Sequence, residues 1–370
     1  MLPVPRWNPQ VHLQERAGVV EHGNSEPMRV LRVSRAEQVS RRRELGALLT
    51  AIAGGVAAAC TSAPRAAVTG PVPWATVQVA GTPRWRGTVG RKGKGVGEFD
   101  TPSGVAIAPD GTVYVADAGN DRIAVINPDG VATGTVGRSG RRPGALSFPA
   151  GVAIGAEGVA VVADSGNGRI QVLMPVAGGL GHALPGDDTP GHFAAPRALA
   201  ISPEGTLLVA DSRHHRIVTL GRDGTVTEAF GNRGTRPGEF DTPKGVAIAP
   251  DRSVIVADAA NHRVQRVASD GTPIRVWGRR GTRVGEFQNP EAVAVELDGT
   301  VWVADTGNDR IQGFTPDGTP RWQWGHRGRS VEQLDAPSGL AIDATGALVI
   351  ADANNHRIHR VGADDLRTSR

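Results

Sequence analysis

The 370-residue sequence lacks several features that would settle its class at once. It contains one cysteine, Cys60, so no disulfide can form within the chain. Its longest apolar run, residues 45–59, is shorter than the ~20 residues that a membrane-spanning helix needs. Beyond residue 80, no segment repeats its apolar residues with the 3.6-residue period of an amphipathic helix. These absences favour a β-rich domain that folds without disulfides.

One phrase occurs six times in the sequence. It first reads Val115-Ala116-Asp117-Ala118-Gly119-Asn120-Asp121-Arg122-Ile123, and its aspartate returns every 47 residues without an insertion. Such self-similarity at a fixed period predicts a repeat architecture. The repeated aspartates are Asp117, Asp164, Asp211, Asp258, Asp305 and Asp352. Five residues after them stand Arg122, Arg169, Arg216, Arg263, Arg310 and Arg357.

Each copy predicts four short strands. In the first copy these are Gly104–Ala108, Val113–Ala116, Arg122–Ile126 and Gly134–Gly137, separated by turn sequences such as Pro109-Asp110-Gly111. Four antiparallel strands in a unit of this length are typical of a propeller blade. The sequence therefore predicts an all-β propeller of six blades around a central channel.

The two ends of the repeat region predict how this ring closes. The last copy stops soon after its third strand, Arg357–Val361, whereas residues 83–90 precede the first copy and are similar to residues 320–325, a fourth strand. We therefore expect the N-terminal strand to complete the last blade, which would remove two open sheet edges.

Two phrases of the repeat resemble a known family. Phe99-Asp100-Thr101-Pro102-Ser103-Gly104-Val105-Ala106 and Val303-Ala304-Asp305-Thr306-Gly307-Asn308-Asp309-Arg310-Ile311 are similar to the NHL repeat, and the resemblance covers residues 81–370. The Gly-His to Trp-Asp signature of WD40 blades and the kelch pattern are absent from the sequence. The resemblance implies a six-bladed β-propeller of four-stranded antiparallel blades.

The first 80 residues contain the whole excess of positive charge. They have nine arginines and five glutamates, whereas the rest of the chain has 32 basic and 32 acidic residues. This neutral balance argues against a polybasic domain for nucleic acid. Residues 1–39 have no periodic pattern, so we expect them to be disordered or to precede a true translation start near Met28 or Val39.

Residues 40–60 resemble a bacterial lipoprotein signal. Arginines 41–43 precede the apolar run, and small residues lead to Cys60, whose thiol would carry the lipid. The signal could direct export by either the general or the twin-arginine route. The alternative to a signal is a short buried or flexible Ala/Gly segment. Residues 61–80 would be a flexible tether. We expect an exported, membrane-anchored lipoprotein, on the outer side of the cytoplasmic membrane or in the periplasm.

The family resemblance also invites a comparison with enzymes. Amidating lyases similar to NHL propellers bind a metal through histidines that directly follow the blade proline, and use a tyrosine two residues past the repeated aspartate. Here the residues after the prolines are Ser103, Ala150, Arg197, Lys244, Glu291 and Ser338. The tyrosine position holds Gly119, Gly166, Arg213, Ala260, Gly307 and Asn354. We therefore expect no amidating-lyase activity.

The histidines suggest no tight metal site. His182 and His192 flank Asp187 and Asp188, but their spacing matches no common ligand pattern, so we expect an irregular loop there. A second group, His215, His262 and His356, shares one column of the repeat and is expected on loop surfaces. We predict no metal and no cofactor.

The repeated aspartates and arginines are interpreted as structural. A carboxylate at the end of a strand can accept hydrogen bonds from N–H groups of the next turn, and a guanidinium can pair with it. Because all six copies contain both residues, we expect them to hold the loops.

Charge departs from the sixfold symmetry. In a propeller, the loops that enter the first strands share a face with the loops between second and third strands. The entering loops carry Arg91, Lys92, Lys94, Arg138, Arg141, Arg142, Arg233, Arg236, Arg279, Arg280, Arg283, Arg327 and Arg329. The turns of the opposite face carry Asp110, Asp129, Glu157, Glu204, Asp223, Asp251, Asp270, Asp298, Asp317, Asp364 and Asp365, against Arg222 and Arg252. We therefore predict one basic and one acidic face.

Four residues are the candidate ligand-binding set. Arg197, Arg213 and Lys244 belong to adjacent copies and are predicted to lie near the channel on the basic face, and Glu291 is an acid at the channel mouth. Guanidinium groups suit carboxylates, phosphates and acidic proteins. A merely solvated surface is the alternative.

Three function classes follow from these patterns. The favoured one is a non-catalytic extracytoplasmic scaffold whose basic face binds an acidic protein or an anionic envelope component, with the membrane contacted only through the lipid. The alternative is a metal-dependent hydrolase or lactonase of the six-bladed type that uses Glu291. RNA binding on the basic face would require that the export signal be false.

Overall fold

The computed structural model describes residues 85–155, 158–173, 182–183, 193–221 and 224–368. The sequence predictions for residues 1–39, 40–60 and 61–80, including Cys60 as a lipidation site, lie outside the described residues. Within the described ranges, no helix is long and apolar enough to cross a membrane.

Six four-stranded antiparallel sheets follow one another in the chain, which confirms the predicted propeller. The first strand of the described residues is β1 (Gly87–Val89). Blade 1 contains β2 (Pro102–Ile107), β3 (Val113–Asp117), β4 (Arg122–Ile126) and β5 (Ala132–Val136). A short parallel pair follows, β6 (Arg138–Ser139) and β7 (Ala145–Leu146). Blade 2 contains β8 (Pro149–Ile154), β9 (Ala160–Asp164), β10 (Arg169–Leu173) and β11 (His182–Ala183).

The remaining blades repeat this order. Blade 3 contains β12 (Pro196–Ile201), β13 (Leu207–Asp211), β14 (Arg216–Leu220) and β15 (Val226–Phe230). Blade 4 contains β16 (Pro243–Ile248), β17 (Val254–Asp258), β18 (Arg263–Val267) and β19 (Pro273–Trp277). Blade 5 contains β20 (Ala292–Val295), β21 (Val301–Asp305), β22 (Arg310–Phe314) and β23 (Pro320–Trp324). Blade 6 contains β24 (Pro337–Ile342), β25 (Leu348–Asp352) and β26 (Arg357–Val361).

The fourth strand of blade 6 comes from the other end of the described chain. β1 pairs antiparallel with β26, with Thr88 opposite His359. Arg360 Nη1 donates a hydrogen bond to the carbonyl oxygen of Trp85 at 2.9 Å, and Trp85 is buried. The sheet therefore runs β1-β26-β25-β24.

The hydrophobic cores lie between neighbouring blades. The core between blades 6 and 1, for example, combines Trp85, Phe99 and Val115 with Val349 and Ile358. Every residue of the second strands is buried, because each second strand is covered on both faces by adjacent blades. This explains their continuous apolar sequences, which do not alternate with polar residues.

A glycine at the beginning of the entering loops of blades 1, 4 and 5 allows a core aromatic ring to fit. A Cβ atom on Gly90 would lie 2.4 Å from the ring of Phe99, and Gly231 stands in the same relation to Phe240. Gly90 also has a φ of 110°, which disfavours other residues.

A short helix, α1 (Ala363–Thr368), follows the last strand. Its first turn contains Asp364 and Asp365, which the sequence analysis wrongly assigned to turns of the acidic face. Acidic residues in a first turn stabilise a helix N-terminus. The side chain of Leu366 is fully buried, and Arg367 pairs with Glu296 at 2.8 Å.

Candidate functional site

Each repeated aspartate ends the second strand of its blade and is fully buried. The Oδ1 atom of Asp117 accepts the N–H of Asp100 at 2.7 Å, and its Oδ2 atom accepts Asn120 Nδ2 at 2.9 Å and Arg122 Nε at 2.7 Å. Because a buried carboxylate is costly without partners, these bonds are what permit its burial. The same pattern recurs at Asp164, Asp258, Asp305 and Asp352 and, with a histidine as the middle donor, at Asp211.

The repeated arginine joins this aspartate to the loop that enters the blade. Arg122 donates from Nη1 to the carbonyl oxygen of Lys94 at 2.6 Å, and from Nη2 to those of Gly95 at 2.9 Å and Glu98 at 2.8 Å. These bonds fix the loop backbone on the face where the second and third strands are connected. Corresponding bonds to their own entering loops are made by Arg169, Arg263, Arg310 and Arg357. The fold uses the carbonyl groups of these loops and leaves their side chains available.

We call the surface formed by the entering loops of blades 1, 2, 4, 5 and 6 the basic face. A minority of its cations have acidic neighbours, in the pairs Arg91–Glu98, Arg279–Glu286, Arg233–Asp241 and Arg327–Asp309. The other cations are exposed and make no side-chain hydrogen bond or ion pair within the described part of the chain: Lys92, Lys94, Arg138, Arg141, Arg142, Arg236, Arg280, Arg283 and Arg329.

Apolar side chains lie at the tips of the same loops. Val96, Val284 and Val331 are 60%, 56% and 62% exposed. Each follows the first residue of a turn that closes with a backbone hydrogen bond, for example from the N–H of Glu98 to the carbonyl of Gly95 at 3.2 Å. The basic face therefore combines unpaired cations with exposed apolar side chains.

The acids of the opposite face have a local structural role. Asp110, Asp251 and Asp298 each accept a hydrogen bond from the backbone N–H two residues later, which is the geometry of an Asx turn. The N–H of Thr272 likewise lowers the pKa of Asp270. Glu157, Arg222 and Asp223 lie outside the described residues. Turn formation accounts for these acids, whereas no comparable requirement accounts for the unpaired cations of the basic face.

Side chains also connect neighbouring blades, in an arrangement that the sequence analysis missed. Asp121 Oδ1 accepts the N–H of Phe148, in the next blade, at 2.7 Å, and Asp309 Oδ1 accepts that of Ala336 at 2.8 Å. Three histidines make the same inter-blade bond through Nδ1: His215 to Thr242 at 3.1 Å, His262 to Asn289 at 3.0 Å and His356 to Thr101 at 3.2 Å. The expectation that these histidines are loop-surface residues was therefore incomplete, since they lie partly buried between blades. The signal was the repeat column itself, in which only Asp, His and Gly occur.

The residues after the blade prolines surround a central cavity of about 70 Å³. Its charged residues come from blades 3, 4 and 5, and its small residues from the other three blades: Arg197, Lys244 and Glu291 against Ser338, Ser103 and Ala150. Lys244 Nζ lies 2.5 Å from Glu291 Oε1. Asn289 Nδ2 donates to the same oxygen at 3.1 Å. Lys244 and Glu291 therefore neutralise each other.

Arg197 is the cation of this cavity that has no carboxylate partner among the described residues. Its guanidinium lies 6.0 Å from the ring centroid of Phe148, which is 44% exposed. Arg213 is exposed on the turn that follows Asp211 and does not line the cavity. The structure thus brings together three of the four candidate ligand-binding residues and places Arg213 apart from them.

The donor set of the cavity does not suit a metal ion. Among the described residues that line it, Glu291 is the one carboxylate, and the ammonium group of Lys244 occupies its Oε1 atom. Protein metal sites use several oxygen, nitrogen or sulfur donors at once. Across the described ranges, no group of three or more His, Cys, Asp or Glu residues could hold a metal. Asp187, Asp188 and His192, and the side chain of His182, lie outside these ranges.

Comparisons with known proteins agree with the fold. A family model described as NHL repeat matches residues 99–126, 146–173, 193–220, 240–267, 287–314 and 334–361. A search of curated proteins finds no match. A gluconolactonase from Xanthomonas campestris is similar in structure, with a TM-score of 0.56 and 17% identity over 76% of this chain and 97% of its own. A catalytically inactive virginiamycin B lyase from Staphylococcus aureus, solved with quinupristin, has a TM-score of 0.52 and 16% identity over 73% of this chain and 82% of its own. At these identities the likeness shows the fold alone.

Proposed function

We propose that this chain, an NHL-repeat β-propeller of six blades, is a non-catalytic binding scaffold whose basic face holds an anionic partner. The partner would be an acidic protein or an anionic envelope component. The observation that carries the proposal is the array of exposed cations on the basic face, which make no side-chain hydrogen bond or ion pair among the described residues and so do not stabilise the fold by such contacts.

The loops of the basic face are well prepared for binding. Repeated arginines such as Arg122 and Arg263 hold their backbones, so little backbone freedom would be lost when a partner binds. Val96, Val284 and Val331 would add apolar contacts between the charged groups. Repeated cations at equivalent positions suit a partner with several spaced negative charges better than one with a single charge.

We further propose that the scaffold is exported and anchored by lipid at Cys60. The sequence of residues 40–60 supports this proposal, and residues 61–80 would connect the lipid to the propeller. A lipid on one cysteine would keep the basic face near the membrane while leaving it free to meet other envelope components.

A lactonase or hydrolase function finds less support. The fold shared with a gluconolactonase is compatible with it. The Lys244–Glu291 ion pair opposes it, because the cavity offers a metal no second carboxylate from the residues that line it.

Polyanion binding by the purified full-length protein tests the scaffold proposal. We expect fluorescently labelled polyglutamate to bind, with an affinity that falls as salt is added, since exposed charges are screened by salt. Replacing Arg142, Arg236 and Arg283 together by alanine should weaken binding by at least about threefold, because each exposed ion pair contributes roughly 0.2–1 kcal/mol. These arginines contribute only backbone groups to the loop hydrogen bonds, so the variant should fold.

The matched control removes three exposed cations elsewhere. Arg252, Arg275 and Arg321 lie outside the basic face, on a turn of the opposite face and on the outer strands β19 and β23. Replacing them by alanine changes the net charge equally and should leave polyglutamate affinity nearly unchanged. Equal losses in both variants, or no binding by the native protein, would contradict the proposal.

A further inference from the structure

We propose that the central cavity binds a small organic monocarboxylate, with its carboxylate on Arg197 and its apolar part against Phe148. This site is separate from the basic face, and its ligand is a small molecule. The inference therefore goes beyond the scaffold function and does not depend on it.

The charges around the cavity favour a monoanion. Lys244 and Glu291 cancel each other, so Arg197 supplies the remaining positive charge among the lining residues. A carboxylate carries one negative charge and matches the planar fork of a guanidinium. A phosphate dianion would bring a second negative charge close to Glu291 without a second free cation. The cavity is therefore selective for a single carboxylate.

The size of the cavity limits which part of a ligand can enter. By the measure in which one water needs about 10–15 Å³, a volume of about 70 Å³ holds only a few heavy atoms. This space accommodates a carboxylate and the carbon atoms next to it. The rest of the ligand would extend out of the cavity toward Phe148, whose ring faces the Arg197 guanidinium.

Phe148 occupies a position where the fold does not require an aromatic ring. The residues that precede the blade prolines all have left-handed backbones, with φ between 46° and 55°: Thr101, Phe148, Ala195, Thr242, Asn289 and Ala336. That backbone is unfavourable for a bulky side chain, and the other blades use small or polar residues there. The Phe148 N–H is bound to Asp121, so its backbone is fixed while its ring remains partly exposed. An aromatic ring that is costly for the fold and lies beside an unpaired guanidinium is well placed to contact a ligand.

A titration of the full-length protein with benzoate, acetate and inorganic phosphate, followed by ligand-observed NMR, tests the proposal. We expect benzoate to bind more tightly than acetate, because its ring gains contact with Phe148, and phosphate to bind least. Arg197→Ala should weaken benzoate binding by about tenfold or more, the usual effect of losing a charged hydrogen-bond partner. Phe148→Ala should weaken benzoate by about threefold, an ordinary value for an aromatic contact, and leave acetate unchanged.

These variants have natural counterparts within the chain. Alanine already follows the blade proline at Ala150, and alanine precedes it at Ala195 and Ala336, so both variants should fold. Arg213→Ala is the matched charge control, since Arg213 belongs to the same blade but lies outside the cavity lining. It should leave benzoate affinity unchanged.

Glu291→Gln provides an independent variant. It frees Lys244 and raises the local charge by one, so benzoate should bind more tightly and phosphate binding should increase. The proposal is overturned if benzoate does not bind the native protein, if phosphate binds more tightly than benzoate, if Arg213→Ala weakens binding as much as Arg197→Ala, or if Glu291→Gln weakens it. Polyglutamate binding should persist in Arg197→Ala, so failure at the cavity and failure of the scaffold proposal are distinguishable.

Discussion

The carboxylate of Asp258 shows how much depends on a single repeated residue. It is fully buried and accepts hydrogen bonds from the N–H of Asp241 at 2.7 Å, Asn261 at 2.9 Å, Arg263 at 2.7 Å and Gln265 at 3.0 Å. Loss of this carboxylate would leave the Arg263 side chain, which is 11% exposed, without its counter-charge. It would also release the loop that Arg263 holds.

We predict that Asp258→Ala lowers the free energy of unfolding by about 3–5 kcal/mol, the cost of removing one partner from a buried ion pair. Equilibrium unfolding in urea measures this change. Asp270→Ala is the control, because Asp270 is an exposed turn residue, and its removal should shift the urea midpoint far less. Similar midpoints for the two variants would show that Asp258 does not have this structural role.

For the Lys244–Glu291 ion pair, the sequence predicted where the two residues lie but not the bond between their side chains. The repeat columns placed Arg197, Lys244 and Glu291 at the same level of the channel, because residues in one column occupy equivalent positions. They could not show that Lys244 bonds to Glu291, 47 residues away, since that contact depends on the rotamers of two blades. They also grouped Arg213 with the cavity, although it lies on the loop that follows Asp211.

At the scale of elements, strands were easier to predict than the contacts between them. The predicted limits of the second and third strands of blade 1 agree with β3 and β4 to within one residue. The first strand, β2, begins two residues earlier than predicted, because Pro102 already pairs with Asp117 ahead of an irregularity in the ladder. The inter-blade bonds of Asp121 and His262 were missed because each acceptor and its donor are 27 residues apart, and a column comparison does not reveal such partners.

The His262 bond makes one blade contact sensitive to pH. Nδ1 of His262 accepts the N–H of Asn289 and can do so only when it is unprotonated. Burial and the nearby Arg280 lower the pKa of His262 below the ordinary 6.5, and Asp305 opposes this shift. Because the folded pKa lies below the unfolded one, the stabilising contribution is complete above about pH 6.5 and is lost as the pH falls through the folded pKa.

We predict that His262→Asp reduces the loss of stability between pH 7 and pH 5. Aspartate occupies the same column at Asp121 and Asp309 and accepts the equivalent bond there, and its carboxylate remains ionised over most of this range. Urea unfolding at several pH values measures the difference from the native protein. The other histidines, including the buried His359, are the same in both proteins, so their effect on the pH dependence of stability cancels in the comparison. The same pH profile for both proteins would rule out His262 as a titrating contact.

At the scale of the whole molecule, the same repeat serves two purposes. Buried aspartates and their arginine partners recur in all six blades, and in blades 1, 2, 4, 5 and 6 the arginine holds the entering loop. Exposed positions are free of that constraint, so cations can gather on one face while turn-forming acids occupy the other. The sequence was sufficient to predict one basic and one acidic face, because the order of the strands alone determines on which face each loop lies. The cavity chemistry needed the structure, because it depends on how three blades meet.

Closure of the ring is the other property of the whole molecule, and it depends on a short strand. β1 has three residues, and its ladder with β26 is supported by the buried Trp85 and by the bond from Arg360 to the Trp85 carbonyl. We predict that a chain beginning at residue 91 is less stable than one beginning at residue 81, by about 3–5 kcal/mol for the lost tryptophan alone.

The shortened chain should also self-associate, because β26 would become an unpaired edge that can bind another chain. Urea unfolding and sedimentation velocity measure the two effects. Trp85→Ala separates them: it should lower stability while β1 still covers β26, so the protein should remain in its native assembly state. If the chain beginning at residue 91 matched the longer chain in both measurements, blade 6 would be stable with three strands, and the ring would be held by the contacts between blades.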